Sequence, residues 1–267
     1  MKVAMLRRMR TLVTAISLVG GILSGVGMTY GFEAPQIAPA PSAASKAIAL
    51  IPILEKEKAA AENGDEAAGK HDLVSTRKYY VQALDLCRQL PETEFWAVKD
   101  EILKKLANAR FPEHGPEVEA LYRERTELLE RQAGLAGLAL GLGLFDLESY
   151  YADTKDLYKA EQVARRAEAF YKSCVAQGVS PVTCDRRMAD VQGLMGCALL
   201  LAGSYRAAGD WLEPVVARKD ENVRPQIMIL SLKAYAKVLA TRGDRENARQ
   251  MEERARALDL KHPHEAH

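Results

Sequence analysis

One pattern recurs along this chain and restricts its fold more than any other feature. Five stretches align on a small residue followed three positions later by a larger apolar one: "KYYVQALDL" (78–86), "GPEVEALYR" (115–123), "LYKAEQVAR" (157–165), "SYRAAGDWL" (204–212) and "GDRENARQM" (243–251). The pairs are Ala83/Leu86, Val118/Leu121, Ala160/Val163, Ala208/Trp211 and Ala248/Met251, and their first members are 35, 42, 48 and 40 residues apart. Residues three apart share a helix face, so the small member admits a neighbouring helix and the apolar one seals the contact. Each stretch follows another amphipathic run, at 47–62, 95–110, 135–153, 184–202 and 224–242. The chain therefore predicts five helix–turn–helix units, none able to bury its apolar face alone, so the units must stack. Alanine and leucine dominate, aromatics are only 6%, and strand-like alternation is missing, all of which favours an all-α fold.

The clearest unit is "LSLKAYAKVLATRGDRENARQMEERARAL" (230–258). Ala236, Gly243, Ala248 and Ala255 stand there where a tetratricopeptide repeat (TPR) wants small residues, and Gly196, Gly203 and Ala208 repeat the pattern one unit earlier. Residues 47–260 resemble TPR proteins, nearest to the roughly 42-residue repeats of kinesin light chains. The family's W-x2-L-G signature is absent, since Trp96 is followed by Ala-Val-Lys, which leaves the first two units less regular. The resemblance implies a right-handed α-solenoid of about five TPR-like hairpins; the competing reading is an unrelated helical bundle. Glycines in "AGSY" (202–205) and "RGDR" (242–245) suit helix ends, and Asp244 is placed to cap the last helix.

The first 32 residues are of another kind. Lys2, Arg7, Arg8 and Arg10 precede the apolar stretch 11–30, and no acid occurs before Glu33. At about 1.5 Å per residue such a helix just reaches across a bilayer core. Residues 1–32 are thus expected to be an uncleaved signal-anchor or a cleaved signal peptide, with an Arg-rich mitochondrial presequence as the alternative. The basic flank stays inside, which places the rest in the periplasm or another part of the cell envelope. Ser17, Gly21 and Gly25 form a small-xxx-small series that could pair two anchors in a homodimer. Residues 33–46, rich in Pro and Ala, read as a linker, and residues 261–267 as a disordered tail.

Cys174 and Cys184 bracket Gly178, Ser180 and Pro181, at the end of one predicted helix and the start of the next. In an exported domain this spacing predicts a disulfide staple; without export the two are free thiols. A zinc site would need tighter ligand pairs and a redox pair a C-x-x-C spacing. Cys87 and Cys197 fall in different units and read as small buried hydrophobes.

Lys plus Arg number 37 and Asp plus Glu 36, so no basic footprint for nucleic acid exists. The glycine-rich "GLAGLALGLGLF" (134–145) lacks the Lys-Ser/Thr of a phosphate loop. His262, His264 and His267 close the chain, and neither they nor His71 and His114 have further metal ligands in view. No catalytic set stands out, and no cofactor is implied. The resemblance implies protein–protein interaction through the face lined by first helices. Aligning Ala236 with the family's central small residue puts Lys233 and Lys237 on that face in unit five, Asp190 and Gly193 in unit four, and Phe145 and Ser149 in unit three. That mixed surface predicts an acidic-apolar segment of an envelope protein as partner. A self-associating structural protein and a helical hydrolase are the alternatives.

Overall fold

Helices in this chain begin where the sequence supplies a start signal. The computed structural model describes residues 43–132 and 137–262. They form ten α-helices: α1 Ala43–Gly69, α2 Leu73–Cys87, α3 Glu92–Arg110, α4 Pro116–Arg131, α5 Ala139–Asp153, α6 Leu157–Ala176, α7 Pro181–Leu201, α8 Tyr205–Val216, α9 Pro225–Thr241 and α10 Arg245–Lys261. Short 3-10 turns lie at Phe111–Glu113 and Asp220–Asn222, and no strand occurs among the described residues. Pro116, Pro181 and Pro225 open α4, α7 and α9, where a missing N–H costs nothing. Carboxylates of Asp72, Asp156 and Asp244 accept from backbone N–H groups at Ser75, Lys159 and Asn247, capping α2, α6 and α10.

The pairing α1/α2, α3/α4, α5/α6, α7/α8 and α9/α10 reproduces the five expected units, with boundaries shifted by a few residues. The largest shift is at α1, which begins at Ala43, inside the stretch read as linker, and runs on to Gly69. The described residues up to Glu55 fall in one unit and those from Lys56 onward in another. The described part of the first is the amino-terminal half of α1, with Ile48 and Ile51 exposed. The signal or anchor expected at 1–32, the Ser17/Gly21/Gly25 series, most of the linker, and His264 and His267 lie outside the described residues. Among those described, no helix is long and apolar enough to cross a membrane.

Every hairpin turns through one left-handed residue: His71, His114, Lys155, Gly203 and Gly243 have φ of 57°, 47°, 63°, 79° and 84°. In four of the five, the next N–H reaches back five residues: Asp72 to Ala67, Asp156 to Tyr151, Ser204 to Leu199 and Asp244 to Leu239, at 2.9–3.0 Å. This is the Schellman closure, which satisfies a carbonyl that the ending helix would otherwise orphan.

Beyond each hairpin, the second helix packs on the first helix of the next unit, and first helices pack on one another, α5 on α7 and α7 on α9. One apolar cluster runs from Ala60 on α1 to Val238 on α9, as a stacked solenoid requires. The small members Ala83, Val118, Ala160 and Ala208 are fully buried. At Gly196 a Cβ would come within 2.5 Å of Leu212 on α8, so only glycine permits that approach. Ion pairs join consecutive units: Lys105–Asp65 at 2.7 Å, Arg88–Glu124 at 2.9 Å, Arg166–Glu130, and Arg224–Asp190 at 2.8 Å.

Candidate interaction surface

The first helices of units two and three leave a cleft between them. Asn108 in the last turn of α3, Phe111 in the 3-10 turn, Tyr122 on α4, and Phe145, Asp146 and Ser149 on α5 enclose about 340 Å³. Its aromatic wall is fixed by neighbours. The Tyr122 hydroxyl donates to Asn108 Oδ1 at 3.2 Å. Behind it the Tyr122 and Tyr150 rings lie 5.7 Å apart, Phe111 meets Tyr150 edge-on at 6.4 Å, and the Tyr150 hydroxyl donates to the Gly115 carbonyl at 3.0 Å.

Beneath the cleft lies a three-membered ion cluster. Arg125, only 3% exposed, donates through Nε to Asp100 Oδ1 at 2.6 Å and through Nη1 to Asp146 Oδ2. Burial works against the guanidinium, yet the two carboxylates outweigh it and hold its pKa above the ordinary value. Two carboxylates thus share one cation. Asp153, exposed at the end of α5, adds a further negative charge. The Tyr122 phenol registers the balance: burial first, then Asp146 and Asp153 against Arg125, push its pKa up to about 12.

A larger cleft of about 550 Å³ lies along the second helices, bounded by Arg123, Tyr151, Lys159 and Arg166. Its charges are internally matched: Arg123 with Glu119 at 2.7 Å, Lys159 with Asp156 at 3.1 Å, and Arg166 with Glu130.

No protein-family model matches the sequence, and no curated protein matches it. Solved structures do. BtubC (BKLC) from P. vanneervenii superposes with a TM-score of 0.60 at 12% identity, over 81% of this chain and 91% of that one. The Rap conjugation gene regulator of plasmid pLS20, in complex with the Phr* peptide, gives 0.50 at 16% identity, over 88% of this chain and 61% of the regulator. MamA gives 0.48 at 16% identity, over 78% and 94%. The fold is TPR-like.

In the TPR-like register the expected groove residues separate into three groups. Phe145 and Ser149 share the cleft just described. Lys233 and Lys237 are exposed on α9, but Lys233 is tied to Asp259 on α10 at 3.1 Å. Lys237 lies near the Cys197 thiol, which burial pushes up to about 11 with the lysine pulling the other way. Asp190 and Gly193 are not on the surface, a correction to the alignment. Asp190 is 2% exposed, holds Arg224, and has Arg187 at 3.5 Å. A Cβ at Gly193 would come within 2.9 Å of Ile227 and Ser231. Both positions face α9 because first helices of neighbouring TPR-like units touch there.

The expected staple is not formed in this structure: Cys174 and Cys184 are free and buried, filling space as small apolar side chains. They do lie near one another across the α6–α7 turn, since Cys184 adds to burial in raising the Cys174 pKa. Sequence reasoning missed Asn108, Phe111, Tyr122 and Asp146. The mutual spacing of Tyr122, Arg125 and Asp146 with Asp100 was the available signal, but it spans two units and needs the register between them. Among the described residues, no group of three or more His, Cys, Asp or Glu side chains is placed to hold a metal ion.

Proposed function

We propose that this protein is a non-catalytic scaffold, exported or held at a membrane by its amino-terminal segment, that binds a protein or peptide along its first helices. The observation that carries the reading is the cleft between α3 and α5, where aromatic side chains stand beside polar groups at the junction of two successive units. A cleft of a few hundred Å³ with apolar walls and a few placed polar groups is the usual form of a binding site. The peptide in the Rap regulator complex supports the class of partner, because an extended segment suits the surface of stacked hairpins.

Affinity capture tests it. Tagged full-length protein, solubilised from membranes in mild detergent, should retain at least one protein that the Phe145→Asp variant loses at equal helical content. Identical captured sets from both proteins would remove this surface from the function. Export is tested separately: residues 1–45 fused to a reporter active only outside the cytosol should give activity, and a soluble, inactive fusion would overturn the export part of the proposal.

A further inference from the structure

The cleft between α3 and α5 has more negative charge around it than its own cation can balance, and that excess says what it recognises. Asp146 lines the cleft with its side chain 28% exposed, and Asp100, 16% exposed and outside the lining, shares Arg125 with it. Asp153 adds its charge from the end of α5. The neighbouring cations are engaged elsewhere: Arg110 with Glu117, and Arg123 with Glu119 and the Tyr151 hydroxyl. Lys104 precedes Asn108 by one turn and does not line the cleft. Three aromatic side chains, Phe111, Tyr122 and Phe145, form the walls. Asn108 and Ser149 supply further oxygen acceptors at the rim.

We infer that this cleft is the socket for an arginine side chain carried by an extended partner segment. The inference rests on the peptide-binding reading above and adds the chemistry of the partner. An aliphatic side chain would fill the same volume but would strip water from Asp146 without replacing it, and burying a carboxylate that shares its one cation with Asp100 is costly. A guanidinium returns hydrogen bonds to the carboxylate and lays its flat face on the aromatic rings. Arginine is favoured over lysine for that second reason, since an ammonium is a compact, strongly hydrated point charge. The units four and five end of the same face, with Lys237 and the exposed Leu201 and Leu230, is of opposite character. A segment bound along the face would therefore carry its arginine at the unit-three end.

The test is a selection from displayed random 12-residue peptides against the full chain in detergent, together with ethylguanidinium titrated in NMR. Enriched peptides should share an arginine, and replacing it by citrulline should weaken binding at least tenfold, with lysine intermediate. The Ser149→Lys variant puts a cation inside the cleft without touching the Arg125 cluster and should cause a loss of the same size. Ethylguanidinium should shift the ring signals of Tyr122 and Phe145. Peptides that bind equally well without a basic residue, and that ignore Ser149→Lys, would overturn the arginine socket while leaving the peptide-binding reading standing. No enrichment and no ring shifts would overturn both.

Discussion

Glu148 is the residue whose environment is least like what its side chain needs. It is fully buried on α5, and neither carboxyl oxygen has a hydrogen-bond partner. Glu168 on α6 faces it, itself 8% exposed and accepting from Gln192 on α7, with Arg165 3.4 Å away. Burial first, and the charge of Glu168 second, raise the Glu148 pKa well above 4.5. The unfolded chain releases this proton in the ordinary carboxylate range while the folded chain holds it. Folding stability tied to Glu148 is therefore complete below about pH 4.5 and is lost as pH rises toward the folded value, by at most about 1.4 kcal/mol per pH unit. Glu148→Gln copies the protonated shape and should abolish that slope, leaving the variant more stable than the parent at pH 7. Urea midpoints of both proteins between pH 4.5 and 7 measure the difference; parallel curves would show that Glu148 is ionised in the fold. The register of the repeat was legible here, since it puts Glu148 level with Ala236, a small residue at the packing position. That the position holds an acid rather than alanine is plain in the sequence. What neighbours that acid was not, because Glu168 and Gln192 come from two other helices. The same limit misplaced Asp190 and Gly193: alignment gives the face of a helix, but not whether the next helix already covers it.

At the level of elements, the turns show why two units read clearly and three less so. Gly203 and Gly243 announce their turns because glycine adopts positive φ without strain. His71, His114 and Lys155 do the same geometric work without the residue that signals it, so the sequence marks those hairpins only through the aspartates or glycine that follow. A side chain in the left-handed region costs about 1–2 kcal/mol, partly offset by the extra freedom glycine would have when unfolded. Lys155→Gly should therefore raise stability by about 0.5–1 kcal/mol, and Gly203→Ala should lower it by about 1 kcal/mol. Thermal or urea denaturation distinguishes the two directions; a loss at Lys155→Gly would mean that the lysine side chain holds the turn by contacts of its own. The helix caps follow the same logic: Asp244, next to a glycine, was legible as a cap, whereas Asp72 and Asp156, which have no such neighbour, were not.

Across the Lys56–His267 unit, most of the architecture could be read ahead of the coordinates, because stacked repeats translate local periodicity directly into tertiary contacts. The cleft could not, since it forms where α3 and α5 diverge and depends on the 3-10 turn at Phe111, which has no counterpart in the later hairpins. The ion pairs between units also belong to this scale. Apart from Arg224–Asp190, whose carboxylate is buried, they involve partly exposed side chains and are worth little alone, about 0–1 kcal/mol, yet they recur along much of the stack. Raising salt from 0.02 to 1 M shortens the screening length from roughly 20 Å to about 3 Å. A solenoid whose neighbouring units are clasped by charge behaves as a spring whose stiffness is set by ionic strength. Small-angle scattering should find a broader distribution of end-to-end lengths in concentrated salt with helical content unchanged. A partner lying along several units would then be gripped by a track that yields more readily in brine than in dilute buffer.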